Sequence, residues 1–500
     1  MYHTYGLFAI AKEDKMLNYL STRNVKNSVK PSLAILNGIA DDGGLYMPDN
    51  LELIKVDYQA LMRLNYQAMA KIIFQKFFPD FSTFEIEKIV DKSYDHKFDN
   101  NLITPLVKVN ESYVLELFHG PTGAFKDIAL SALPLLMQRA MIKNKLDHDI
   151  LIMTATSGDT GSAALHGFSN IPKIKIIAFY PKLGISEIQK RQMTTSSAQN
   201  TNACAINGNF DDIQNNVKKI FQQNPNAALS SANSINIGRL IPQIVYYFSA
   251  YQQLLAQQAI TIGDQVNFIV PTGNFGDIMA GYLAKLMGLP INKLVCASNQ
   301  NDVLTEFFNT GHYNKDRPFY QSISPSMDIL ISSNLERLLY LICGSDKTKQ
   351  YLEELRDDHQ YTINKTELAK LQTTFIAGQL NDQQTKLTIK DVYDQAHYLL
   401  DPHTAVAYGV YLANHDQLKH NINVVLATAT PFKFNQVVLE ALNIPCQNDE
   451  FINMEILAKK TNSAIPKSLS ALVNQPIIHR DVIEIKEMAT YVNQRMDQHE

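Results

Sequence analysis

Between residues 58 and 78 apolar side chains recur every three or four positions ("YQALMRLNYQAMAKIIFQKFF"), a spacing that predicts amphipathic helix. The first 95 residues read as a mostly helical region. Beyond it the pattern changes to short β-rich runs, each followed by a helical one. "YVLELF" leads into a helix from Ala124, "DILIMTAT" into "GDTGSAALHGF", "KIKIIAFY" into "SEIQKRQM" and "NACAIN" into "DDIQNNVKKIFQQ". After a long helical stretch, "IGRLIPQIVYYFSAYQQLLAQQ", come "VNFIV" before "DIMAGYLAKLMG", "KLVCAS" before "DVLTEFFNTG" and "INVVLATAT" before "NQVVLEAL". Strand and helix alternating in this way predict parallel sheets covered by helices, in units enough for two α/β lobes. Ligands of open α/β sheets bind beyond the carboxyl ends of strands, so the loops there carry the interest. Residues 345 to 385 read as polar and helical without obvious chemistry, and the tail after 446 is similarly silent.

Composition narrows the classes. A chain of 500 residues with 45% hydrophobic and 19% charged side chains can build a large core. The net charge of -4 and the scatter of lysines and arginines argue against nucleic acid as a partner. Cys204, Cys296, Cys343 and Cys446 lie far apart with no C-x-x-C pair, which argues against a zinc site or disulfide framework and for a reducing cytoplasm. No apolar run approaches the roughly 20 residues that span a bilayer. The start, "MYHTYGLFAIAKEDK", lacks the basic segment and cleavage site of a signal peptide.

Five loops carry candidate chemistry. In "HGPTGAFKDIAL" (119 to 130), Lys126 falls in the first turn of a helix, where the dipole disfavours its charge. A neutral amine there could attack a carbonyl and form a Schiff base. "TATSGDTGSAA" (154 to 164) places Thr156, Ser157, Gly158, Asp159, Thr160 and Gly161 between a strand and a helix, where free amides could bind an anion. The same residues would serve a simple helix cap. "VPTGNFGDIMAGY" (270 to 282) repeats the arrangement with Gly273, Asn274, Phe275 and Gly276, and matches neither the P-loop nor the three-glycine dinucleotide fingerprint. In "NSINIGR" (233 to 239), Asn233, Ser234 and Arg239 could clamp a phosphate, although an isolated arginine could equally be ion-paired. "DPHTAVAYG" (401 to 409) reads as a helix start with Asp401 as its cap, and His403 has no assigned proton. Taken together, a carbonyl-reactive lysine, two anion cradles and an arginine suggest a phosphorylated aldehyde cofactor and a phosphorylated substrate.

The segments "HGPTGAFKD", "TSGDTGSAA", "NSINIGR", "PTGNFGDIMAGY" and "DPHTAVAYG" resemble threonine synthase, in the branch shared by enterobacterial and fungal enzymes, from about Tyr19 to Lys433. The resemblance implies a tryptophan synthase β-like fold, fold type II of the pyridoxal 5'-phosphate enzymes, with two open twisted parallel-sheet lobes. It implies a carbon-oxygen lyase that converts O-phospho-L-homoserine and water to L-threonine and phosphate, without a metal. By motif, Lys126 is the lysine that carries the cofactor. Gly273, Asn274, Phe275, Gly276 and Asp277 surround its phosphate, Thr428 meets its pyridine nitrogen, and Asp159 lies near its phenolic oxygen. Thr156, Ser157, Thr160, Asn233, Ser234 and Arg239 form the substrate phosphate site.

The expected division is 1–95 as the N-terminal region, 96–146 with 233–445 as the larger lobe, 147–232 as a smaller mobile lobe, and 446–500 as a tail packing on the larger lobe. The chain departs from the family at "ATATPFKF", where "STAHPAKF" is usual, and at "SINIGR", where "SINWAR" is usual. These put Thr430, Phe432 and a flexible Gly238 beside the site. The family start would fall at Met16, with the preceding residues a mis-set start or disordered extension. The oligomer is left open between monomer and homodimer. Rival readings are a phospho-lyase or dehydratase on the same fold, or a non-catalytic cofactor-binding homologue. The Asn233, Ser234 and Arg239 set speaks against a dehydratase, and Lys126 against the non-catalytic homologue.

Overall fold

A computed structural model describes residues 16–223 and 229–497; the expectation for the segment before Met16 lies outside the described residues. Near the N-terminus the strands Tyr19–Ser21, Asn24–Val29 and Tyr46–Pro48 form a small antiparallel sheet that the sequence reading did not anticipate. The helices around it are as the periodicity predicts. Helix Tyr66–Phe77 buries Met69, Ala70, Ile73, Phe74 and Phe77 on one face and packs against Ile237–Ala256. Helix Thr83–Ser93 opens on a capping box, in which Ser82 Oγ accepts the Glu85 amide at 3.3 Å and the Glu85 carboxylate accepts the Ser82 amide at 2.7 Å.

The larger sheet has six strands in the order Phe375–Gln379, Ile291–Ser298, Val266–Pro271, Ile422–Ala427, Ser112–Glu116, Leu106–Val109. All pairs are parallel except the last. Alternate side chains feed two cores. Phe268, Val270, Leu294, Cys296, Val424 and Leu426 face helices Ile237–Ala256 and Gly276–Leu286. Ile269, Val295, Ala297, Val425 and Ala427 face helix Pro402–Ala413. Burial on both faces explains why these strands read as continuous apolar runs.

The smaller sheet has five parallel strands in the order Val482–Glu484, Thr201–Asn207, Ile174–Pro181, Ile150–Ala155, Leu229–Ser231. Helix Asp159–Phe168 covers one face through Ala163, Ala164 and Leu165. Ile213, Val217 and Ile220 of helix Phe210–Gln223 cover the other, together with Met488, Tyr491 and Val492.

The tail therefore departs from the expectation that it packs on the larger lobe. Its first helix, Glu450–Thr461, does so through Met454 and Leu457. Its end instead becomes the fifth strand and a covering helix of the smaller sheet. Without Val482–Glu484 the Thr201–Asn207 strand would present an open edge of unpaired amides and carbonyls. Strand Phe375–Gln379 was also missed, because it follows helix Lys365–Thr374 without a turn residue between them. Among the described residues no helix is long and apolar enough to cross a membrane.

Gly238 is packed rather than loose. It lies inside helix Ile237–Ala256, and a Cβ there would meet Leu133 Cδ1 at 2.7 Å. Its lack of a side chain lets this helix approach helix Leu133–Lys143.

The tail assignment is checked at Met488, which is 0% exposed in the core of the smaller lobe. Met488→Ala should lower the free energy of unfolding by about 2–4 kcal/mol in urea titration, whereas a disordered tail would show no change.

Candidate active site

The site lies beyond the carboxyl ends of the strands, between the two sheets. Its central feature is a short pairing of two loops. Ala124 bridges Ala429 in antiparallel register, the Phe125 amide donates to Thr428 O at 2.8 Å, and the Thr430 amide donates to Gly123 O at 3.0 Å. Gly123 has φ 70°, and a Cβ there would lie 2.8 Å from Thr430 Cγ2. This pairing sets Lys126, first residue of helix Lys126–Leu130, beside Thr428. Asp127 fixes the turn from the other side, accepting from the Thr122 amide at 2.8 Å and the Thr122 hydroxyl at 2.7 Å.

Lys126 keeps partial exposure to the cleft. Desolvation is the main reason that its amine is lowered to about 8; Asp159 opposes the shift, and Arg239 and Lys433 reinforce it. The sequence argument invoked the helix dipole, but this helix has only five residues and burial is the larger cause. The amine donates weakly to Ser326 Oγ at 3.5 Å. The Ser326 amide donates to His403 Nε2 at 3.2 Å, and since an amide only donates, that nitrogen carries no proton. His403 Nδ1–H then donates to Asp401 Oδ1 at 2.8 Å. Asp401 also caps helix Pro402–Ala413 by accepting the His403 amide at 2.9 Å, as the sequence reading preferred.

In the 156–161 loop, Thr156 Oγ1 accepts the amides of Gly158 at 3.0 Å and Gly161 at 2.8 Å. Thr156, expected to bind substrate phosphate, thus caps its own loop. Ser157 and Thr160 remain partly exposed. Asp159 is 4% exposed and bound to Lys433 Nζ at 2.7 Å and Gln189 Nε2 at 2.8 Å. Burial would raise its carboxyl, but Lys433 and Lys126 outweigh this and hold it well below the usual carboxylate range.

The 273–277 loop turns its carbonyls backward. Ser332 Oγ donates to Gly273 O at 2.7 Å, and Asn334 Nδ2 donates to Asn274 O at 2.8 Å. The amides of the turn and of the first turn of helix Gly276–Leu286 are the groups available to a phosphate. Two side chains of this loop have partners of their own, which leaves their backbone amides for the role the sequence reading gave the loop. Phe275 holds φ 60° and stacks on Phe308 with centroids 5.7 Å apart. Asp277 accepts from Tyr246 and, at 2.9 Å, from Tyr247, and burial pushes its carboxyl up to about 6 against these bonds. Both residues can offer a phosphate only their amides. Asn274 is exposed, with its side chain accepting from Ser333 Oγ at 3.3 Å.

Ser234 adjoins this loop, its Cβ 3.9 Å from where a Cβ on Gly276 would lie. Asn233 accepts from Thr154 Oγ1 at 3.4 Å. Arg239 is 2% exposed and donates from Nη1 to Ala232 O at 2.6 Å, while its buried Nε has no partner among the described residues. Burial lowers its guanidinium to about 10. An enclosed cation held by one carbonyl is suited to an incoming anion.

Residues that sequence reasoning passed over complete the site. Arg337 donates to Ile235 O at 2.5 Å and to Asn334 Oδ1, joining the 233–239 segment to the 273–277 loop. Ser326 touches Lys126, and a Cβ on Gly273 would meet Ser326 O at 2.6 Å. Lys433 holds Asp159. Of these only Lys433 left a trace in the sequence, as one lysine within the apolar "PFKF".

A carbonyl-reactive amine beside backbone amides free for a phosphate, with a neutral Thr428 hydroxyl nearby, fits pyridoxal phosphate. The two lobes around it are those of a fold type II pyridoxal-phosphate lyase. Comparisons agree. Residues 18–94 match the family described as threonine synthase N terminus, and residues 99–429 match that described as pyridoxal-phosphate dependent enzyme. Threonine synthase of Pseudomonas aeruginosa is 39% identical, over 85% of this chain and 90% of its own. The structure described as PLP-bound threonine synthase from Brucella melitensis is 36% identical with a TM-score of 0.85, over 96% of this chain and 100% of that one. Threonine synthase-like 1 of Homo sapiens is 37% identical over 91% of this chain, which spans 65% of that relative's length. The chain belongs to the threonine synthase family.

The lowered amine gives a direct expectation. In the cofactor-free protein, the rate at which Lys126 is acylated should rise with pH through a midpoint near 8, the pH at which it loses its proton. Exposed lysines should reach their midpoint near about 10.4. Peptide mass spectrometry of labelled protein reads both, and a midpoint for Lys126 at the ordinary value would refute the burial argument.

Proposed function

We propose that the chain is a threonine synthase, converting O-phospho-L-homoserine and water to L-threonine and phosphate, and that Arg239 carries this reading. A buried guanidinium with no carboxylate partner suits a substrate that brings its own dianion. Asn233 and Ser234, on the same segment, would complete the grip on the substrate phosphate, and the partly exposed Ser157 and Thr160 would be further donors. Pyridoxal phosphate, when bound, supplies the electron sink that makes the substrate Cα–H acidic.

Lys126, deprotonated in an appreciable fraction near neutral pH, would take that proton. A further proton would leave Cβ as phosphate departs from Cγ into the Arg239 grip. A proton returned to Cγ would make the methyl group, and water would then add its hydroxyl at Cβ while a proton returns to Cα. Thr428, a hydroxyl in place of a carboxylate, would leave the ring nitrogen less protonated. The retained phosphate would sit where it can move protons at the hydration step. The smaller lobe, 147–232 in the sequence reading, would be the closing part, and Val482–Asp497 would travel with it because strand and helix belong to its sheet.

Purified protein incubated with O-phospho-L-homoserine should release phosphate and threonine in equal amounts, and Lys126→Ala should release neither. Phosphate with 2-oxobutyrate would identify a phospho-lyase, and no reaction from the parent protein would support a non-catalytic role. Arg239→Met should keep the cofactor colour and lower kcat/KM by about 100-fold, the equivalent of about 3 kcal/mol for a charged hydrogen-bonded contact.

A further inference from the structure

Lys433 lies in the short turn Pro431–Phe434 of the larger lobe, and its side chain is 0% exposed. A buried ammonium persists only where it is paired. Its pair, Asp159, belongs to the smaller lobe, on the first turn of helix Asp159–Phe168, and the two are 2.7 Å apart. The same ammonium donates to Thr122 O at 3.0 Å, in the loop that presents Lys126. Gln192 of the smaller lobe donates to that carbonyl at 2.9 Å, and Gln189 donates to the carboxylate oxygen that Lys433 holds, at 2.8 Å. One lysine thus connects the larger lobe, the smaller lobe and the Lys126 loop.

The charges around Lys126 make the consequence definite. Asp159 favours its protonated form, whereas Arg239 and Lys433 favour the neutral one. Asp127 and His403 are the other ionisable groups packed against the pair, the first bound to Thr122 and the second held between Asp401 and the Ser326 amide. Among the described residues neither is hydrogen-bonded to Asp159, although His403 lies close enough to act on its charge. Without Lys433, Asp159 would stand as an uncompensated anion next to an amine that has to give up its proton.

We propose that Lys433 is a positioning residue for Lys126: by neutralising Asp159 across the cleft, it keeps the Lys126 nitrogen deprotonated, free or linked to the cofactor, when the lobes are together. This makes the charge state of Lys126 depend on the contact between lobes. The inference rests on the cofactor class and not on the substrate, so it stands or falls apart from the reaction proposed above.

The test follows the visible absorption of the holoenzyme from pH 6 to 10 in five proteins: the parent, Lys433→Met, Asp159→Asn, the double variant and Lys433→Arg. The pH at which the spectrum changes should rise by about one unit or more in Lys433→Met, where Asp159 is left unopposed, and fall in Asp159→Asn, where Lys433 is left unopposed. It should return near the parent value in the double variant and stay there in Lys433→Arg. Single variants that move the transition in the same direction, or a double variant that fails to restore it, would overturn the proposal. A purely structural role would weaken folding in Lys433→Met without these opposite shifts. If Lys433→Met yields no folded protein, Asp159→Asn decides alone, a downward shift supporting the proposal and no shift or an upward one refuting it.

Discussion

The structure depends on the management of positive charge in a dry cleft. Lys126, Arg239 and Lys433 all lie between the lobes, and Asp159 is the carboxylate that acts on the first and pairs with the third. Burying a charge costs free energy unless a partner or a bound counter-ion replaces the water that is lost. Lys433 has its partner. Arg239 has only a carbonyl, and Lys126 lowers the cost by giving up its proton more easily. A site arranged in this way would be stabilised by phosphate groups, whose binding would complete an electrostatic balance that the polypeptide leaves open.

The fold supplies this balance by bringing loops together that are far apart in the chain. Pairing of residues 123–125 with 428–430 aligns Lys126 with Thr428 through two backbone hydrogen bonds, so the alignment does not rest on flexible side chains. Arg337 performs a similar task between Ile235 and Asn334, which in turn holds Asn274. The left-handed backbone of Phe275 costs on the order of 1–3 kcal/mol. Stacking on Phe308 and a tilted contact with Phe375 help to offset it. Strain and close approach thus appear where the backbone has to meet a ligand.

Much of this was legible in the sequence, for identifiable reasons. Strands buried on both faces leave continuous apolar runs, and loops that must admit an anion are rich in glycine and hydroxyls, so both stood out. What the sequence hid was the partnership of side chains. Asp277 and Phe275 lie in a glycine-rich loop, yet their side chains are taken by Tyr246, Tyr247 and Phe308. Thr156 reads as a ligand, and its oxygen also closes its own turn while its hydroxyl hydrogen stays available. Ser326 acts only through three-dimensional contact, and Lys433 shows in the sequence only as a lone lysine within an apolar run, without its partner. The strand Val482–Glu484 was hidden because a short, partly exposed edge strand needs no apolar run.

The two lobes meet at the site through contacts of two kinds, and the difference bears on how closure could reach Lys126. One kind is rigid packing: a Cβ on Gly167, in helix Asp159–Phe168, would lie 2.0 Å from Leu130 O, so this helix rests directly on the backbone that carries Lys126. The other kind is polar and can be exchanged, as in the amides of Glu187 and Ile188 donating to Glu450, and in Gln192 with Lys433 at Thr122 O. Packing of the first kind does not slide without a clash, whereas hydrogen bonds of the second kind can pass to water and back at little net cost. Movement of the smaller lobe would therefore pivot near Gly167 and open on the side of Glu187 and Gln192. Because Asp159 begins that helix, the proposed motion would change its distance from Lys433 and, through it, the charge balance at Lys126.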